Sequence, residues 1–196
     1  MAINKVCVFC ASSPKIDEVY FQAAYKLGKI LAGNGTEVNY GGGAVGLMGR
    51  LADSVMANGG KITGIIPVFM DEMKWGHNNI TNLVVVKDMH ERKRMMIGDT
   101  DAVIALPGGI GTVEELSEVI TLKQLGRYVK PVIILNTNGF YSDFIMLLHR
   151  MIEEKFMHPI HQKIWQVVDT PEEVLPAITK APVWGKELVR FAAFEE

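Results

Sequence analysis

The chain has 196 residues, 48% of them hydrophobic and 21% charged, with a formal net charge of −2. That is the balance of an ordinary globular protein and the length of a single domain. The slightly acidic charge argues against broad nucleic-acid binding, which needs a basic face, and no apolar run is long enough to cross a membrane.

In chain order, Met1 to Lys5 run directly into a strand at 5–10 without a secretory signal, so the cytoplasm is the expected compartment. Cys7 and Cys10, the only cysteines, lie in this strand. Residues three apart on a strand face opposite sides, which argues against a disulfide or a shared metal. Helix signals follow at 17–32, 45–58, 89–98, 112–126, 140–156 and 171–180. Strand signals alternate with them at 36–40, 61–66, 83–87, 102–106, 131–135 and 164–168. This rhythm predicts an α/β fold with a mostly parallel sheet of about seven strands, covered by helices on both faces. Residues 67–80 form the longest predicted loop. Residues 1–180 read as one domain. The tail 181–196, with Pro182, Trp184, Phe191 and Phe194, is expected to pack on that domain or on a partner.

Ligands of an open parallel sheet bind beyond the carboxyl ends of its strands. The loops 11–16, 41–46, 67–82, 88–92, 107–112 and 136–139 belong to that edge. The most informative of them is Leu106-Pro107-Gly108-Gly109-Ile110-Gly111-Thr112-Val113-Glu114-Glu115. Its glycines let the backbone approach a ligand closely, and the following helix points free N–H groups and its positive dipole end at the same space. Thr112 is expected to cap that helix and both glutamates to lie in its first turn. Such a construction binds an oxygen-rich anion and sets an acid beside it.

The other glycine loop, Gly41-Gly42-Gly43-Ala44-Val45-Gly46-Leu47-Met48-Gly49, contains G-x-G-x-x-G. It follows the second strand instead of the first, and the next strand lacks a terminal acid, which excludes the dinucleotide fingerprint. Leu47-Met48 stand where a Walker loop needs Lys-Ser/Thr. What remains is a phosphate cradle of backbone N–H groups or a tight turn with close packing. Ser12 and Ser13 bind phosphate or cap the next helix. Arg92 shares a helical face with Met89 and Met96, and a guanidinium on such an apolar face either has a fixed partner or snorkels to the surface. Lys93 and Arg94 read as solvent-facing. Along the helix after the second glycine loop, Val113, Leu116 and Ile120 form a stripe toward the sheet. Glu115, Glu118, Leu122 and Leu125 form another, which suggests a second packing surface such as another subunit. No histidine has metal-ligand spacing, and no nucleophile elbow is present.

The two glycine loops and Met89-His90-Glu91-Arg92-Lys93, in this order and spacing, resemble the LONELY GUY (LOG) family, whose members are often labelled "lysine decarboxylase". The resemblance runs from about Lys5 to Thr179. It implies a Rossmann-like, three-layer fold and an N-glycosidic phosphoribohydrolase. Such an enzyme splits AMP or N6-modified adenosine 5′-monophosphates, including cytokinin riboside monophosphates, into free base and ribose 5-phosphate. By motif position Arg92 and Glu115 match the family's catalytic pair. Ser12, Ser13, Gly42, Gly43, Gly46, Met89, Lys93, Gly108, Gly109, Gly111 and Thr112 form the expected substrate and phosphate set. The resemblance also implies a homodimer with sites near the interface, and no metal or cofactor. Ala11, Leu122 and Tyr128 depart from the family pattern and bear on the base pocket. A non-catalytic nucleotide or cofactor carrier on the same fold is the alternative. Pyridoxal-phosphate chemistry lacks a suitable lysine motif.

Overall fold

A computed structural model describes residues 2–193 of the chain, and among these seven short strands alternate with helices. Strand β1 (Lys5–Phe9) is followed by α1 (Glu18–Gly33), β2 (Glu37–Tyr40), α2 (Gly46–Ala57) and β3 (Ile62–Pro67). Then come α3 (Val68–Glu72), β4 (Asn82–Val86), α4 (Met89–Gly98), β5 (Ala102–Ala105) and α5 (Ile110–Gln124). The chain continues through β6 (Val132–Leu135), α6 (Ser142–Glu153), β7 (Trp165–Val168) and α7 (Val174–Lys180).

The strands pair in parallel in the order β4-β3-β2-β1-β5-β6-β7. This is a Rossmann-like, doubly wound sheet. The chain builds outward from β1 to β4, then returns to place β5 on the other side of β1. The connections leave in opposite directions at β1 and β5, which opens a crevice beyond their carboxyl ends.

Strand alternation divides the core. Val6, Val8 and Cys10 face a layer containing Ala24, Leu27 and Leu31 of α1, Leu51 and Val55 of α2, and Ile178 of α7. Cys7 and Phe9 face Met96 of α4, Leu116, Val119 and Ile120 of α5, and Leu148 of α6. The two cysteines are therefore buried on opposite sides of the sheet, as their spacing requires. Each fully buried leucine contributes about 1.5–3 kcal/mol of burial.

Several expectations need correction. Helix α5 begins at Ile110, with Gly109 as its N-cap, so Thr112 lies inside the helix and does not cap it. Both glutamates fall beyond the first turn. The first helical N–H groups have no internal partner in any case, so the glycine-rich run enters the helix without losing hydrogen bonds. The segment 67–80 contains the short helix α3. On the second stripe of α5, Leu122 packs partly against this chain's own core, whereas Leu125 is exposed. Trp184 of the tail is buried, and its indole N–H donates to the carbonyl of Lys123 in α5 at 2.8 Å. Phe194 lies outside the described residues. No helix among the described residues is long and apolar enough to cross a membrane.

Candidate active site

Helix α4 delivers Arg92 to the crevice. Its N-cap Asp88 accepts from the Glu91 N–H at 2.9 Å, while the Glu91 carboxylate accepts from the Lys87 N–H at 2.8 Å. The two bonds fix the start of α4, and the one from the Glu91 N–H holds the Asp88 carboxyl below its ordinary pKa. One turn on, Arg92 is buried and spends its guanidinium on three acceptors. Nε donates to the Ile65 carbonyl at 3.1 Å, Nη2 to the Gly41 carbonyl at 3.1 Å and Nη1 to Glu115 Oε1 at 3.0 Å. The first two acceptors belong to the ends of β3 and β2. Of the two readings of Arg92, the structure shows the one with fixed partners and not the snorkelling one.

Glu115, on α5, is only 8% exposed. Burial pushes its carboxyl above the ordinary pKa, and the Arg92 guanidinium opposes that rise. Lys93 turns the other way. Its ammonium donates to Glu114 Oε1 at 2.6 Å and to Glu118 Oε2 at 2.9 Å. Burial works against its charge, but these two hydrogen bonds hold it above its ordinary pKa. The expectation that Lys93 is solvent-facing therefore fails, because α5 brings two acids within reach of it.

A cavity of about 230 Å³ opens beside the pair. The carboxyl end of β1, from Val8 to Ser12, lines one side, and Gly109, Gly111, Thr112, Glu114 and Glu115 line another. Gly41 with Met48, Met70, Met89, Arg92 and Met96 completes it. A larger hollow of about 530 Å³ lies at the opposite edge of the sheet, against Asn34, Thr179 and Lys180, with no acid in its wall. The smaller cavity carries the convergent charged groups and is the better site candidate.

The structure brings Arg92, Glu115, Ser12, Met89, Gly109, Gly111 and Thr112 to this cavity. The rest of the expected set lies outside its wall. Ser13 accepts from the Lys15 N–H at 3.3 Å in a turn. Gly42 stacks on Ile65 and Ile66, and Gly43 bridges to Gly76. Gly46, at φ +67°, lies where a Cβ would sit 2.5 Å from the Ser12 backbone. Gly108 leaves room for the side chain of Thr112. The two glycine loops thus do different work. The second leaves the N-terminus of α5 open to the cavity. The first spends the N–H of Met48 on the Ala11 carbonyl at 3.1 Å and its glycines on close packing. Gly41 keeps clear the space that the Arg92 guanidinium occupies.

Met48, Met70, Cys10 and Gly41 are wall residues that sequence reasoning missed. Gly41 stands inside a motif that was read, but Met48 and Met70 carry no sequence signal of their own. His77, which has no metal-ligand spacing in the sequence, takes a structural role. Its Nε2 lies 3.1 Å from Asp53 Oδ1 and its Nδ1 accepts from the Asn79 N–H at 3.1 Å. With bonds from the His77 N–H to the Gly42 carbonyl and from the Ala44 N–H to the Trp75 carbonyl, it pins the segment after α3 to the first glycine loop. No cluster among the described residues could hold a metal ion.

Sheet order, open helix N-terminus and buried arginine–carboxylate pair define a Rossmann-like protein with a charged pocket at its switch point. Residues 48–178 match the family described as "Possible lysine decarboxylase". The cytokinin riboside 5′-monophosphate phosphoribohydrolase LOG7 of Arabidopsis thaliana is 40% identical over 187 residues, covering 95% of this chain and 80% of that protein. LOG3 of the same plant is 39% identical over 172 residues, 88% of this chain and 80% of that protein. The probable enzyme LOGL2 of Oryza sativa subsp. japonica is 40% identical over 172 residues, 88% and 70% respectively. The chain belongs to this family, that of the LOG phosphoribohydrolases. Among solved structures, TM1055 superimposes with a TM-score of 0.71 at 26% identity, covering 91% of this chain and 99% of that one. The molybdenum cofactor carrier protein of Chlamydomonas reinhardtii gives 0.69 at 18% identity, covering 91% and 98%, a likeness of fold alone.

Proposed function

We propose that this protein hydrolyses the N-glycosidic bond of AMP and of cytokinin riboside 5′-monophosphates. Water and nucleotide give free base and ribose 5-phosphate. One observation carries the reading: the buried 3.0 Å bond between Arg92 and Glu115, set beside the open N-terminus of α5 in one small cavity. The names of the relatives supply the substrate class.

In this reading the phosphate rests on the backbone N–H groups of Gly109, Gly111 and Thr112, where the helix dipole favours an anion. Anchoring the phosphate fixes the sugar, so that C1′ lies beside Glu115. As the base departs, positive charge develops on the ribosyl ring, and the Glu115 carboxylate stabilises it and orients water. Arg92 keeps that carboxylate ionised against the cost of burial and holds its direction. A cavity of about 230 Å³ suits a sugar phosphate, with the base toward its mouth. The wider set of Ser12, Ser13, Gly42, Gly43, Gly46, Met89, Lys93 and Gly108 supports the site from around this core. Residues 1–180 act as the nucleotide-binding domain with 181–196 as its tail. The enzyme works in the cytoplasm as a homodimer whose interface lies near the site, and the exposed Leu125 on α5 belongs to that surface.

The test incubates pure protein with AMP and with isopentenyladenosine 5′-monophosphate, then separates base and ribose 5-phosphate by chromatography. Base release by the wild type, reduced by about 10²–10⁴-fold in Glu115→Gln and Arg92→Ala, is the expected result. Tight nucleotide binding without release would overturn the hydrolase in favour of a carrier.

A further inference from the structure

Lys93 poses a problem that the reaction alone does not solve. It sits next to the arginine of the site, yet it is absent from the cavity wall, and its side chain is 14% exposed. Its ammonium lies between Glu114 at 2.6 Å and Glu118 at 2.9 Å. Glu114, in contrast, does line the cavity and is sequence neighbour to Glu115. A second free carboxylate in that wall would repel a phosphorylated ligand and oppose ionisation of the first. The pairs Arg92–Glu115 and Lys93–Glu114/Glu118 also cross-link the same two helices side by side.

We propose that Lys93 is a positioning residue for Glu115: paired with Glu114 and Glu118, it ties α4 to α5 and cancels the charge of Glu114 at the cavity wall. The role rests on the reaction proposed above for its kinetic consequence, but its electrostatic part is a property of the protein alone.

The groups facing Glu115 can be named element by element. From α4 come Arg92 and Lys93, and on α5 itself Glu114. From β1 come the thiols of Cys7 and Cys10, and from the start of α6 the phenol of Tyr141. Burial holds all three of the latter well above their ordinary pKa values, so they are neutral. Among the described residues, the charges acting on Glu115 are therefore those of Arg92, Lys93 and Glu114. Removing the Lys93 charge withdraws a cation and unmasks an anion, and both changes favour the protonated acid.

The experiment follows the Glu115 carboxyl directly, by 13C NMR titration of glutamate-labelled protein with Glu115→Gln as the assignment control. It is paired with kcat/KM from about pH 5 to about pH 8. In Lys93→Met the Glu115 titration moves to higher pH, and the activity loss is larger at the acid end. Adding Glu114→Gln to Lys93→Met restores most of both. Lys93→Arg keeps the wild-type profile, and Glu114→Gln alone moves the titration downward, which tests the idea even if Lys93→Met folds poorly. An unshifted titration with a pH-independent rise in KM that Glu114→Gln does not rescue would overturn the proposal and make Lys93 a direct substrate ligand. The titration needs no turnover. A shift as described in a protein that releases no base supports the positioning role and overturns only the reaction.

Discussion

Lys123 is buried to 1% exposure on α5, and no carboxylate among the described residues accompanies it. Its ammonium donates to the Lys130 carbonyl at 2.8 Å and lies 5.8 Å from the centre of the Trp184 ring. Burial pulls its pKa from the ordinary 10.5 down to about 8. The sign of the linkage follows. Between about pH 8 and pH 10.5 the unfolded chain binds a proton that the folded protein refuses, so wild-type stability rises with pH across that window. Below it, both states are protonated and the folded protein carries the full cost, about 3 kcal/mol.

Lys123→Met keeps the length of the side chain and removes the charge. It gives up one hydrogen bond, about 1 kcal/mol, and a cation–π contact of about 0.5–1 kcal/mol. The variant is therefore expected to be more stable than the wild type at pH 7 by about 1–2 kcal/mol, or about 3–6 °C in Tm. Above pH 10.5 the advantage vanishes and reverses, because the amine is neutral in both states and only the lost hydrogen bond remains. Urea or thermal unfolding at several pH values measures both. A variant that is less stable at pH 7, or a difference that does not change with pH, would refute the reasoning.

Other consequences are as direct. Gly41→Ala places a methyl group against the Arg92 guanidinium, and displacing it should lower kcat by about 10²-fold while the protein stays folded. Arg92→Ala leaves Glu115 buried without its cation, at a cost of about 3–5 kcal/mol. That cost shrinks at low pH as Glu115 protonates, so unfolding curves at neutral and acid pH separate it from a simple packing loss. His161 is fully buried, neither ring nitrogen has a partner among the described residues, and burial lowers its pKa from 6.5 to about 4. Stability should fall as pH drops from 6.5 toward 4, by up to about 3 kcal/mol, and His161→Phe should flatten that part of the pH profile.

The strands and helices were legible because their signals are local. Val132-Ile133-Ile134-Leu135 reads as a central strand and is one, buried at every position. The start of α5 was misread for a local reason as well, since Gly109-Ile110-Gly111 has the composition of a loop. The site divides along the same line. The apolar face left Arg92 between a fixed partner and a snorkelling position, and the motif paired it with Glu115. The partners of Lys93 lie on another helix, 21 positions away in the case of Glu114, so the motif marks Lys93 as a site residue while its local sequence does not show which groups it pairs with. The glycine loops mark the limit most clearly. A glycine-rich turn states that something approaches the backbone closely, but not what. At Gly109 and Gly111 the space is a cavity. At Gly46 it is the backbone of Ser12, and at Gly41 it is the arginine that steadies Glu115. Two glycine-rich loops thus divide the labour, one leaving backbone N–H groups open and the other building the wall that orients the acid. That division follows from which strands the sheet order places side by side.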